Sequence, residues 1–522
     1  MKINKIIQLG SLTCAALLTS CFGDLDVKPL DKDVTTSADV YTTPESYKAG
    51  LAKLYASFVL TGQQGPAGNS DINTSDEGNS SFMRMMWNME ELTTDEAVWT
   101  YPNDFGSTIF NLHNHTWSPT DGVGEFAFAR VMNSVVLANE FIRATAGKSE
   151  TELVQYNREA RFLRALAYYY GMNLFGRVPF VTEADLPGAF LPDEIQRPAL
   201  FEYIESELLD IKDEMGAPRF EYARADKAAC AMLLAKLYLN AEVYLGTGNG
   251  RYTDAITQLN EVISSGYTLS PKYQNNFLAD NNTSPEIILG FTSDARYSKS
   301  YSAVWTMIMG AAGNIGATNL GWDGLRTTKA LVNKFSGSDN RDYFIDEAGG
   351  QNLEIEAQNT ATDGYGVYKF RNTTSTGASG DPTNTGFVNT DFPMFRLADA
   401  YLMYAEAVLR GGSGGDATTA LGYVNQLRNR SGDPAIGNIS GAQLTLDFIL
   451  DERARELYWE GHRRTDLIRF NKFTGGSYLW PWKGGVKDGT STPAFRNVFP
   501  VPASDRVLNP KLGQNEGYAG AE

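Results

Sequence analysis

The sequence predicts a mostly α fold, a tetratricopeptide-like helical-repeat scaffold interrupted by an irregular, loop-rich insertion carrying short strands. Three observations predict it. Apolar residues recur at helical spacing in separate blocks, about 44–61, 125–265 and 395–470. Two helix pairs from different blocks resemble each other. The stretch between them, about 276–394, is rich in Gly, Asn, Thr and Ser and keeps no sustained period.

Taken in order, the elements have identifiable causes. Pro44 lacks an N–H that the first helical turn leaves unpaired anyway, so it opens the first helix, whose period runs from Tyr47 to Leu60. Further helices are expected over Glu125–Ala144, Glu152–Leu174, Leu200–Met215, Ala225–Leu245 and Thr253–Ile263. After the insertion the period returns over Phe395–Leu409, Ala417–Arg430 and Leu444–Phe470. Overlaying the blocks aligns Ala241, Glu242 and Val243 with Ala405, Glu406 and Ala407. It also aligns Ala255, Leu259, Asn260 and Val262 with Ala420, Val424, Asn425 and Leu427. Alanines there let paired helices approach closely while larger residues fill the groove, as in repeats of about 34 residues.

The amino terminus reads as an address. Lys2 and Lys5 precede an apolar run from Ile6 to Leu18 that is too short to span a bilayer, and Leu18, Thr19, Ser20 and Cys21 then form a lipoprotein cleavage and acylation site. Residues 1–20 are expected to be a signal peptide, Cys21 the lipidated residue, 21–43 a polar tether and 44–522 a single domain. Each buried acyl methylene contributes about 0.8 kcal/mol, so such an anchor holds a protein at a membrane surface. The signal contains two lysines and no acid, so its removal takes the net charge from -17 to -19. That balance excludes nucleic acid as a partner. Of the three cysteines, Cys14 leaves with the signal and Cys21 is acylated, so Cys230 is expected to be a buried small hydrophobe and no disulfide framework exists. His113 and His115 lack a third ligand nearby and do not make a metal site.

An enzyme reading rests on Asp451, Glu452, Glu456 and Glu460, the last three one helical turn apart, where paired carboxylates could divide acid and nucleophile roles. Arg453, Arg455, Arg463, Arg464 and Arg469 alternate with them, which favours a charge-compensated helix surface packed against loops. Gly411–Gly415 satisfies G-x-S-x-G but follows a helix rather than a strand, so it fails as a nucleophile elbow. No catalytic residue is expected. The loop Asp280–Glu286 offers hard oxygens that a calcium ion could use, without EF-hand spacing, and no other cofactor is expected.

Aromatic rings are abundant, with 8 Trp, 26 Tyr and 27 Phe, and several stand among polar residues. Trp99 and Tyr101, two apart on an extended segment, share a face. Trp322 and Tyr297 sit in loop composition, and all four rings are expected to see solvent. A sugar's C–H face complements an aromatic quadrupole, and its hydroxyl rim needs polar partners such as Asp76 and Arg84.

Several segments also carry a resemblance. They are Cys21–Asp26 with Pro29, Glu159–Ala165 followed by Asn173–Gly176, Arg224–Ala229 running into Leu237–Ala241, Glu452–Phe470, and Phe499–Pro502. On these the chain resembles the SusD/RagB family of Bacteroidetes outer-membrane glycan-binding lipoproteins. Asp76–Gly78, Tyr478–Gly485 and Gln514–Tyr518 are similar to its starch-binding branch. The resemblance implies a non-enzymatic surface protein that captures starch or maltooligosaccharides and delivers them to a SusC-like TonB-dependent barrel in the outer membrane. It implies an aromatic arc of Trp99, Tyr101, Tyr297 and Trp322, with Asp76, Arg84 and either Asn103 or Asp104 as polar partners. Tyr101 stands where that branch has a second tryptophan, and Tyr301 rivals Tyr297. Another glycan, or peptides, is the alternative ligand; a surface glycoside hydrolase is the remaining alternative.

Overall fold

A computed structural model describes residues 37–521 apart from 65, 187, 189, 314–320, 337–338 and 431–436. Cys21, the expected signal peptide and residues 21–36 of the expected tether lie outside the described residues. The chain divides into two units, Met1–Lys48 and Ala49–Glu522. The described part of the first is the helix Ser37–Val40 and the opening turn of the helix Pro44–Ala56. Among the described residues no helix is long and apolar enough to cross a membrane.

In the second unit the main helices pack side by side. Gly122–Thr145 lies against Thr151–Phe175, which lies against Arg197–Lys212; Lys227–Leu239 follows and packs on Tyr252–Ile263. The next neighbour of Tyr252–Ile263 is Leu397–Leu409, from the far side of the insertion, and this helix carries Ala417–Arg430 and Leu446–Leu457. The row is therefore continuous in space although the chain leaves it for more than a quarter of its length. Lys227–Leu239 shows the local cause: Ala228, Ala229, Ala231 and Ala235 are fully buried, so neighbours approach its backbone. Asp226 starts it by accepting a hydrogen bond from the Ala229 N–H at 2.8 Å. Cys230 is a free thiol buried in this helix, and burial pushes its pKa well up.

The insertion is closed at its base by a short ladder. Ile287–Phe291 pairs antiparallel with Phe392–Arg396, and the second strand runs directly into the helix that begins at Leu397. Two smaller antiparallel pairs join Val98–Trp99 to Leu325–Arg326 and Phe344–Ile345 to Gly366–Val367. The short strands expected in this region are present.

Three expectations about elements need correction. The sequence assigns ligand-binding loops to about 70–120 and 276–394, yet the first of these contains the helices Phe82–Glu91 and Thr108–Asn114. All ten residues of Phe82–Glu91 are buried, so there is no solvent face to generate an apolar stripe. The expected single helix Leu444–Phe470 is broken between Leu457 and Arg463, where Trp459 and Gly461 take φ of 64° and 78°. The amides freed there find carboxylates instead: Trp459 N–H donates to Glu96 at 3.1 Å and Gly461 N–H to Glu91 at 2.6 Å.

The third correction concerns Glu452, Glu456 and Glu460, which are compensated but lie in the interior rather than on a surface. Arg341 donates to Glu452 at 2.8 Å, Arg396 reaches Glu286, Glu456 and Glu460 at 2.6–2.9 Å, and Lys369 donates to Glu460 at 2.6 Å. Arg430 also pairs with Glu286 and Glu456. Burial alone raises a carboxyl pKa, but the guanidinium groups of Arg341 and Arg455 overcome it and hold Glu452 down to about 2. No water-exposed acid pair suited to glycoside hydrolysis exists here. Gly411 and Gly414 have φ of 90° and 87° in a helix-to-helix turn, as the context of that motif predicts.

Candidate functional site

Six of the eight residues singled out in the sequence come together. Asp76, Arg84, Trp99, Tyr101, Asp104 and Trp322 line one open hollow of about 390 Å³, together with Asn79, Phe105 and Trp305. Four segments distant in sequence supply these residues, and each is held by backbone contacts. Val98 and Trp99 pair with Arg326 and Leu325, Thr100 N–H donates to Gly324 O at 2.8 Å, and Trp322 N–H donates to Met309 O at 2.8 Å.

The rings form a tilted cluster. Trp99 and Trp322 lie 4.9 Å apart between centroids at 48°, and Tyr101 lies 6.3 Å from Trp322 at 45°. The Tyr101 hydroxyl donates to the Trp322 carbonyl. Two glycines make room for the indole: a Cβ on Gly310 would sit 2.6 Å from Trp322 Cη2, and one on Gly324 only 2.1 Å from Cζ3. Side chains there would displace the ring. The expectation that Trp99 sees solvent is corrected, because it is 3 % exposed. Trp99 forms the base on which Trp322 leans, and Tyr101, 38 % exposed, and half-buried Trp322 present the accessible faces.

Polar groups edge this cluster. Asp104 accepts from Trp99 Nε1 at 2.9 Å, and Asp76 accepts from Asn79 Nδ2 at 2.6 Å. Arg84 is buried at the hollow, donates from Nη1 to Tyr301 O at 3.3 Å and lies 5.4 Å from the centre of the Phe105 ring. Its Nε is buried without a protein partner. Burial lowers the Arg84 pKa to about 10 against the opposing pull of Asp76 and Asp104, so the group stays cationic at neutral pH. Phe105 takes φ 50°, a costly conformation for a bulky side chain, at the edge of the same hollow.

Asn103 and Tyr297 are not part of the lining. Tyr297 is 80 % exposed with the Arg296 guanidinium 5.1 Å from its ring, and Asn103 is exposed one residue before Asp104. Tyr301 packs against Trp305 at 4.6 Å and against Phe387 at 5.4 Å. Trp305, Asn79 and Phe105 were missed. Trp305 lies in the apolar run Ala303–Gly310, which in sequence resembles a core helix, whereas Asn79 follows Asp76 at a spacing typical of local side-chain capping and could have been flagged.

The remaining candidates are spent on structure. His113 and His115 are buried and not on a strand; His113 faces Ala97 O at 3.1 Å and Pro481 O at 2.9 Å, and His115 faces Thr93 O at 2.7 Å. The calcium reading of 280–286 is corrected too. Asp280 accepts from Ser375, Glu286 turns inward to Arg396 and Arg430, and Asn281 binds Asn276 and Asp391, so the oxygens diverge. Among the described residues no three His, Cys, Asp or Glu side chains converge as metal ligands.

Comparison with known proteins places this geometry. The model of the SusD family matches residues 264–518. Over 99% of its length the chain is 35% identical to the starch-binding protein SusD of Bacteroides thetaiotaomicron, all of which is covered. The chain belongs to the SusD family. SusD family members are glycan-binding proteins, not enzymes, which agrees with the buried carboxylates of Leu446–Leu457. Two solved structures share the SusD-like fold at lower identity. A SusD superfamily protein from Bacteroides thetaiotaomicron superposes with a TM-score of 0.71 at 19% identity, covering 91% of this chain and 100% of that one. Surface glycan-binding protein A of the same species, in complex with laminarihexaose, gives 0.70 at 18% identity with the same coverage.

Proposed function

We propose that this SusD family protein captures starch or maltooligosaccharides at the cell surface and delivers them to a SusC-like TonB-dependent transporter in the outer membrane. The observation that carries the reading is the convergence of Tyr101 and Trp322 over Trp99 beside Asp76, Arg84 and Asp104 in one open hollow. The accessible ring faces suit the C–H faces of successive sugars, and the carboxylates and guanidinium suit their hydroxyls. The relation to a starch-binding SusD along the whole chain favours an α-1,4-glucan. A lipid on Cys21 would keep the hollow at the membrane surface, where many copies bind one polymer and raise the effective affinity of a shallow site.

Affinity electrophoresis tests the ligand. Wild-type protein is expected to be retarded in gels cast with amylopectin, and Trp322→Ala to lose that retardation while its helical circular dichroism is unchanged. Retention by the variant would sink the site. One structural neighbour binds laminarihexaose, which favours a β-glucan as the second reading, and a parallel laminarin gel separates the two. Delivery is tested by affinity purification of the lipidated protein from its own membranes, in which a TonB-dependent barrel is expected to co-purify.

A further inference from the structure

We propose that Trp305 is a specificity-determining residue that makes the hollow select glycan chains long enough to reach it; this rests on the glycan reading of the same site. Trp305 and the seat of Trp322 lie on one helix, Ala303–Gly310, with Gly310 against the Trp322 ring and Met309 O accepting its N–H. Trp305 and Gly310 are five positions apart, which is about 7.5 Å along a helix axis. A series of contacts also links the two rings across the floor. Trp322 leans on Trp99 at 48°, Trp99 donates to Asp104, Asp104 acts electrostatically on Arg84, Arg84 donates to the Tyr301 carbonyl, and Tyr301 meets Trp305 edge-on at 4.6 Å. Trp305 therefore joins the lining about 7.5 Å along that helix from the seat of Trp322.

Its indole is fixed and has no donor to spare. Nε1 donates to Gly386 O at 3.0 Å, and the ring is held at 68° to Tyr301, so the half-buried side chain offers the hollow only apolar ring surface. A second aromatic surface beyond the polar floor is useless to a short sugar held at Trp322 and Arg84. A longer chain gains one more ring contact, and that gain is the selectivity.

Titration calorimetry on the full chain in detergent tests the inference, with maltotriose against maltoheptaose and laminaribiose against laminarihexaose. The wild type is expected to favour the longer member of the class it binds. Trp305→Leu, which keeps apolar volume and loses the π-face, is expected to weaken the longer ligand about tenfold and leave the shorter one unchanged. Trp305→Phe is expected to recover most of that loss. Wild-type affinities for both lengths in Trp305→Leu, with Trp322→Ala inactive, overturn the role of Trp305 alone. Undiminished binding by Trp322→Ala, or no binding of either glucan class by the wild type, overturns the site reading and the inference with it.

Discussion

Gly324 shows how little tolerance the aromatic cluster has at the scale of one residue. Its missing side chain leaves space for the Trp322 ring, and any Cβ there collides with a part of the indole that cannot retreat past Trp99. Gly324→Ala is expected to reduce retardation in the amylopectin gel at least tenfold while the thermal midpoint moves little, because the strain is relieved by turning Trp322 out of the hollow. Glu96, three residues before Trp99, makes a second residue-scale case. Burial raises its pKa to about 7, and it shares a hydrogen bond with Glu91, whose pKa is also raised, so one of the two carboxyls carries a proton. A raised carboxyl contributes stability at low pH that is lost as pH climbs through about 7. Glu96→Gln keeps the acceptor for Trp459 N–H and gives Glu91 a permanent donor. It is expected to stabilise the fold at pH 8 by on the order of 1–3 kcal/mol and to flatten the decline between about pH 4.5 and 7 in urea titrations.

At the scale of elements, the helix Leu446–Leu457 is locked to the insertion through charge rather than through an apolar seam. Arg396, at the end of the ladder strand, satisfies Glu286, Glu456 and Glu460 together. Arg396→Met leaves those carboxylates short of a partner in the interior and is expected to cost about 3–5 kcal/mol by urea denaturation. Lys472→Ala, which breaks an exposed pair with Asp447, is expected to leave the midpoint unmoved. The same element shows where sequence reading stops. The alternation of Glu and Arg from Glu452 to Arg464 pointed to compensation within the run, yet of those arginines Arg455 pairs with Glu452 while Arg453 turns to Asp399 and Asp466 and Arg463 to Asp95. The glutamates are met by Arg341, Lys369 and Arg396, invisible to any local spacing. Phe82–Glu91 escaped for the opposite reason, since a helix buried on every side has no periodic contrast.

For the whole molecule, these buried acids set the pH profile. Glu406, Glu452 and Asp95 are held down to about 2 because Arg469, Arg341 and Arg463 overcome the upward push of burial. Their contribution is fully present above the unfolded carboxylate range and is lost as pH falls towards about 2. Glu96 and Glu91 act in the opposite sense above that range. The thermal midpoint is therefore expected to peak near roughly pH 5 and to fall steeply on the acid side, and a flat profile from pH 3 to roughly 8 would contradict the assignment. The aromatic hollow depends on the same scaffold, because the insertion is tied to the helical row through the Ile287–Phe291 and Phe392–Arg396 ladder and through Arg341 and Lys369.

The sequence by itself determined the helical row, the position of the insertion, the family resemblance and most of the residues around the hollow, because helical period, glycine-rich loops and family segments are local signals. Only the tertiary structure decided that Trp99 is the base of the ring cluster rather than a platform, that Tyr297 stands apart, and that Trp305 joins the lining. Those outcomes depend on which rings cover which, and coverage is set by contacts between residues some two hundred positions apart.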